Sequence, residues 1–125
     1  MFLHIHDQLI LSEVQERFTE CFPSLKLEFY SEQHKRFEPT EKAFQLNNRL
    51  RVGDVRSNHQ NGALEIKSWY TVARVEKELS ESYGLNAQVF RCNKDGRWVQ
   101  TSLSDSLTLA EQSEFSYNEK LNEGR

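Results

Sequence analysis

Apolar residues change their spacing twice within the first thirty positions of the chain. They alternate at Leu3 and Ile5, recur every three to four residues at Val14, Phe18 and Phe22, and alternate again at Leu25, Leu27 and Phe29. Alternation is the period of a strand with one buried face, and the longer recurrence is that of a helix with one apolar stripe. The pattern predicts a strand from about Phe2 to His6, a helix from about Leu11 to Phe22 that Pro23 stops, and a strand from Leu25 to Tyr30. The same succession returns at Leu64 and Ile66, at Val75, Leu79 and Tyr83, and at Leu85, Ala87 and Val89. It predicts strands from about Ala63 to Ser68 and Asn86 to Arg91 around a helix from Val72 to Tyr83. Thr71 is placed to cap that helix, and Gly84 to end it. Ile10 offers the first helix no comparable cap.

The two stretches superpose. Leu3 falls on Leu64 and Val14 on Val75, both 61 positions later, and after one dropped residue Leu25 falls on Leu85, 60 positions later. Beyond the second copy, RCNKDGRWVQT reads as a hairpin turning at Asp95-Gly96, and Thr108 with Glu111 has capping-box spacing for a third helix to about Tyr117. The copies differ in their continuations: the first runs into a long charged loop, the second into the hairpin and the capped helix. The expectation is one domain over residues 1–125, with repeat 1 at about 2–30, the loop at 31–62, repeat 2 at about 63–91, and the hairpin strand and C-terminal helix at 92–117. Its class is α+β: a ferredoxin-like sandwich of two βαβ repeats, both helices on one face of a four-stranded antiparallel sheet, with an added hairpin strand and a C-terminal helix.

In this arrangement Leu3, Ile5, Leu27, Phe29, Leu64, Ile66, Ala87 and Val89 face the helices. Alternation sends Phe2, His4, His6, Lys26, Glu28, Tyr30, Glu65, Lys67, Gln88, Phe90 and Cys92 to the other side. Three aromatics on an open sheet are a means of stacking single-stranded RNA bases. The competing reading is that helix three or a second subunit covers them, because monomers seldom expose large apolar patches. No RNP1-like string of basic, Gly and aromatic residues favours the nucleic acid. His4 and His6 share a strand face at a spacing that can begin a metal site, but neither His34 nor His59 supplies a third ligand at metal-binding spacing, and solvent-facing histidines are the simpler reading. Trp69, before the second helix, is expected to staple its start, and Trp98 to pack across the hairpin.

The loop from Ser31 to Gly62 sets Lys35, Arg36, Lys42, Arg49, Arg51 and Arg56 against Glu32, Glu38, Glu41 and Asp54, with one short element expected around Leu50 to Val55. Arg49, Arg51 and Arg56 have the chemistry to grip a phosphate or carboxylate, but no glycine-rich cradle accompanies them, and a solvated loop surface is the better reading.

Composition narrows the picture further. Apolar residues make up 37% and charged residues 28% of 125 residues, with 11% aromatic, which is globular and too aromatic for a disordered chain. A formal charge of −3 supplies no general attraction to nucleic acid or anionic lipid. No stretch approaches the roughly 20 apolar residues of a membrane span, and MFLHIHDQLIL lacks the basic start and cleavage site of a signal peptide, so a cytoplasmic location without membrane contact is expected. Cys21, read as a small core residue, and Cys92 lie in no CxxC pair and are expected as reduced thiols. The chain contains no GxSxG elbow, P-loop, HExxH or GxGxxG, so no enzyme class and no cofactor is indicated.

The stretch TVARVEKELSESYGLNAQVFRCNKDGRWVQTSLSDSLTLAEQ resembles the second half of a group of short bacterial proteins with no known activity, and EVQERFTECFPSLKLEFY and VGDVR resemble their first half. The resemblance runs from about Glu13 to Gln112 and is most specific at the strand before Cys92 and at Trp98. Ala87, where a branched apolar residue is expected, and Cys92 depart from it. It implies a self-standing small domain and no catalytic residue. The function expected from all this is a non-catalytic interaction domain associating through its sheet face or an edge strand with itself, as a homodimer, or with another protein. The alternative is binding of a small molecule or single-stranded nucleic acid through Arg49, Arg51 and Arg56, with Tyr30 and Phe90 as the aromatic contribution.

Overall fold

The computed structural model describes residues 1–32 and 42–114. Strand β1 (Phe2–Ile5) leads through a tight turn into helix α1 (Leu11–Cys21) and strand β2 (Leu25–Tyr30). After 3-10 turns at Lys42–Phe44 and Val52–Asp54 come β3 (Gly62–Glu65), α2 (Val72–Tyr83) and β4 (Asn86–Cys92). A hairpin adds β5 (Trp98–Gln100), and a further helix, α3, occupies 109–114. The expected third helix end near Tyr117, and His34, Lys35, Arg36, Glu38 and Glu41 of the loop, lie outside the described residues.

The architecture is mixed α+β with two antiparallel sheets. β1 pairs with β3, and β2 with β4 and then β5. The four strands of the two strand-helix-strand units thus form two ladders, with β2 and β4 hydrogen-bonded to each other over Leu25↔Arg91 to Tyr30↔Asn86. The registers place Leu3 opposite Leu64 and Glu28 opposite Gln88. One hydrophobic cluster takes Leu3, Ile5 and Leu64 from the first ladder and Ile66 just past it, Leu27, Phe29, Ala87 and Val89 from the second, Val14 and Phe18 from α1, and Val75 and Leu79 from α2. Phe18 is fully buried; a side chain of this size contributes about 1.5–3 kcal/mol on leaving water.

The helix starts explain why the segments after β2 and β4 exist. Leu11 and Ser12 donate their free amides to the carbonyls of Leu50 and Asn48, while Val72 and Ala73 donate theirs to Leu107 and Asp105. In return Val52 donates to Leu9 and Leu109 to Tyr70. First-turn amides have no partner within their own helix, and here a distant backbone segment supplies one in both cases. Ile10 therefore needs no capping side chain: its own N–H is taken by the Glu13 carboxylate at 3.1 Å. The two segments that look so different in sequence, LRVGD and LTLAE, do the same work.

Local chemistry accounts for the other boundaries. Thr71 Oγ1 accepts from Arg74 N–H, and Gly84 closes α2 at φ +68°, in the left-handed region. Thr108 and Glu111 cap α3 reciprocally, each at 3.0 Å. Gly96 turns the hairpin at φ +82°. Cys21, expected inside, is exposed, because it falls one residue before the end of the apolar stripe, on the outer side of α1.

Candidate functional site

The expected outer sheet face divides with the ladders. On β1–β3, Phe2 is 52% exposed and His4 is exposed, as alternation requires. On β2–β4, Tyr30 and Gln88 are buried. Glu76 of α2 reaches this ladder: its carboxylate accepts from Gln88 Nε2 at 3.1 Å and Val89 N–H at 2.8 Å. The backbone of Gln45 forms an antiparallel bridge with that of Tyr30. Burial, and after it the Glu28 and Glu76 carboxylates, push the Tyr30 phenol up to about 12. Phe90 is half-buried and forms, with Trp98, a seat for the Lys26 ammonium, 5.4 Å and 4.9 Å from the two ring centroids.

Of the three arginines, Arg49 and Arg51 are exposed, and Arg51 donates to Gln8 Oε1 at 3.2 Å. Arg56 is internal. Its Nε and Nη2 donate to Asp7 Oδ1 at 3.0 and 2.8 Å, its Nη1 to the carbonyls of Gln60 and Tyr83, and its Nη2 also to Asn61 Oδ1. A guanidinium has five N–H donors, and all of these are engaged within the chain. Asp7 Oδ2 also accepts from His59 Nδ1 at 2.9 Å. The Arg56 hydrogen bonds, and then that of His59, hold the Asp7 carboxyl below its usual range. No hydrogen bond or ion pair joins any two of Arg49, Arg51, Arg56, Tyr30 and Phe90. His6 lies past the end of β1, where its Nδ1 accepts from Gln8 N–H. Among the described residues no group of three or more His, Cys, Asp or Glu is placed to hold a metal ion.

Two other surfaces stand out. The first is a ridge from β1 to the start of α2, in which Phe2 and Trp69 are exposed and Glu65, Lys67 and Tyr70 are half-buried. Phe2 lies opposite Glu65, whose carboxylate takes the Lys67 ammonium at 2.8 Å. This pairing lowers the Glu65 carboxyl and raises the Lys67 amine from their ordinary values. Lys67 also lies 5.6 Å from the Trp69 ring centroid, Trp69 meets Tyr70 edge-on at 6.4 Å, and the Arg74 guanidinium stacks 3.6 Å over Tyr70. Trp69 is not the buried staple expected; it is 66% exposed. Neither outer edge of the β1–β3 ladder pairs with another strand among the described residues.

The second surface is a groove of about 580 Å³ between α1 and β2. Thr19, Pro23 and Leu27 line it, with Glu16, Glu20 and Glu28 among its charged residues. Thr19 Oγ1 donates to the Leu25 carbonyl at 3.1 Å and Gln15 Nε2 to the Leu27 carbonyl at 2.9 Å. These two outward acceptors of β2 are thereby occupied, so side chains, not a strand edge, set what the groove can hold. The pattern of apolar positions does not announce it, although Glu16 and Glu20 have the i, i+4 spacing that puts both on one side of a helix.

No family model, curated protein or solved structure matches the chain. Among the described residues no helix is long and apolar enough to cross a membrane.

Proposed function

We propose that this chain is a non-catalytic interaction domain that associates with itself. The observation that carries the reading is the exposed ridge: Phe2 at 52% and Trp69 at 66% exposure, beside a two-stranded ladder with unpaired outer edges among the described residues. Aromatic residues next to arginine are the composition of interface hot spots, and an exposed strand edge is a template for further pairing. The ridge suits a protein more than a nucleic acid, because Lys67 and Arg74 each already face a carboxylate, Glu65 and Glu78, leaving no surplus positive charge. Binding through the loop arginines has less support, since Arg56 is committed to Asp7.

The proposal takes the chain as one cytoplasmic domain, in keeping with the free thiols of Cys21 and Cys92. It also takes the architecture as a variant of the ferredoxin-like arrangement of two duplicated units. The antiparallel β1–β3 pair and the matching helix starts support that assignment, and the direct β2–β4 pairing is its distinctive departure. Size-exclusion chromatography with light scattering over a hundredfold range of concentration tests the function. The expected result is a mass rising above 14.7 kDa; a constant monomer mass at every concentration overturns the proposal.

A further inference from the structure

Resting on that reading, we propose that two copies of the chain join edge to edge through β1: the two strands pair antiparallel about a twofold axis at Leu3, with Phe2 of each copy opposite His4 of the other.

The hydrogen bonds of the β1–β3 ladder leave these two residues free to do so. The Met1 carbonyl accepts from Ile66 N–H at 2.8 Å, and the Met1 ammonium donates to the Ile66 carbonyl at 2.9 Å. In an antiparallel ladder, pairs that exchange both bonds alternate with pairs that exchange none. Leu3 with Leu64 and Ile5 with Gly62 therefore bond to each other, while Phe2, His4, Ala63 and Glu65 turn their backbone N–H and C=O groups to the outer edges. Among the described residues no strand or loop takes up those outward groups.

Side chains decide which edge is open. Phe2 and His4 are both exposed, and β1 carries no Asp, Glu, Lys or Arg. β3 carries Glu65 and, just past it, Lys67, the two joined at 2.8 Å. Charge on an edge strand is a common means of keeping other strands away, so β3 is guarded and β1 is not.

The occupant follows from the chain's own pairing. β3 is the repeat copy of β1, Leu64 falling on Leu3, and the ladder sets these same two residues opposite each other. The fold already joins this strand to its own copy, antiparallel and centred on the equivalent residue. A second chain offers β1 the same kind of partner on its other side. With Leu3 on the axis, Phe2 and His4 of one copy meet His4 and Phe2 of the other in two hydrogen-bonded pairs, and two phenyl–imidazole pairs lie across the join. This register carries His6 of one copy past Met1 of the other, toward Lys67 and Trp69 at the end of β3, which brings the ridge into the contact. The joined sheet runs β3–β1–β1–β3 and ends on a guarded β3 at both sides, so association closes at two chains.

The test uses the same lesion on the two edges of one ladder. His4 and Ala63 lie directly opposite each other, with their N–H groups on opposite outer edges. Proline on an edge strand removes an outward donor without breaking the inner ladder. Sedimentation equilibrium compares the parent chain with full-length His4→Pro and Ala63→Pro, and circular dichroism checks that both fold; lysine at the same position serves for a proline variant that does not. His4→Pro takes one donor from each copy and so two hydrogen bonds from the pair. At about fivefold for each bond, self-association should weaken at least about 25-fold. Ala63→Pro should associate as the parent does, to a mass of two chains. Unchanged association of His4→Pro, an Ala63→Pro loss as large as that of His4→Pro, or a parent mass that grows past two chains overturns the β1 pairing and leaves self-association standing. A parent chain that never associates overturns both.

Discussion

Arg56→Ala should be the most damaging single substitution in the loop that joins the two halves. The Arg56 side chain is fully buried, and it ties the β1–α1 turn, through Asp7, to the Tyr83 carbonyl at the end of α2 and to Gln60 and Asn61 of the loop itself. Truncation leaves the Gln60 and Tyr83 carbonyls without their donor, at about 1–3 kcal/mol for each that stays dry. Asp7 loses its cation, but its side chain is 32% exposed and keeps His59, so water and the imidazole recover part of that term. The sum lies near the loss of roughly 3–5 kcal/mol expected when one member of a buried ion pair is removed. A domain of this size is held by about 5–15 kcal/mol, so the variant should fold with a visibly lower denaturation midpoint. Asp7→Asn should cost less than Arg56→Ala, because the amide oxygen can still accept from the guanidinium, whose Gln60, Tyr83 and Asn61 acceptors remain, and only the counter-charge is lost. Arg56→Lys should fall between Arg56→Ala and the parent chain, since an ammonium keeps the charge but cannot reproduce the fork. His59→Ala, removing an exposed partner, should cost under about 1 kcal/mol. Urea unfolding with tryptophan fluorescence as the probe measures all four. An Arg56→Ala midpoint within about 1 kcal/mol of the parent, or a His59→Ala loss as large as that of Arg56→Ala, would refute the reasoning.

Two titrations test the same structure from another side. Tyr30 is pushed up to about 12 from an ordinary value of 10.0; its neutral form is favoured in the folded state, so its contribution to stability is complete below pH 10 and is lost as pH rises toward 12. Absorbance at the phenolate band should show a late-titrating component that Tyr30→Phe removes, and a late limb left unchanged by Tyr30→Phe would contradict it. Asp7 has the opposite sign: its folded value lies below the ordinary 3.8, so its contribution is complete above that pH and disappears as pH falls through the folded value. Stability of the parent and Asp7→Asn chains should converge in strong acid, and a gap that stays constant with pH would exclude the ion pair as the cause.

Most of the fold is legible because core residues obey period. Leu3, Ile5, Leu27, Phe29, Leu64, Ile66, Ala87 and Val89 are all buried, and α1 and α2 start where alternation gives way to helical spacing. Partnering between strands is not legible, because the same inward and outward pattern serves one sheet or two ladders equally well. Alternation assigns Tyr30 and Gln88 to an open face for that reason; Gln88 is instead met by Glu76 of α2 and Tyr30 is bridged by the backbone of Gln45, contacts that no local pattern announces. The helix start at Ile10 is similar: its satisfaction comes from Asn48 and Leu50, far away in sequence. Trp69 defeats local reasoning because an aromatic before a helix is as consistent with a buried staple as with an exposed side chain, and only the structure separates them.

The most direct measurement of the central claim uses that exposure. In a Trp98→Phe chain, Trp69 is the sole tryptophan, and its emission reports its surroundings. Self-association through the ridge should move that emission to shorter wavelength as concentration rises, with a midpoint matching the association seen by sedimentation. Emission of a water-exposed indole at every concentration, in a chain that nonetheless associates, would contradict the ridge as the interface.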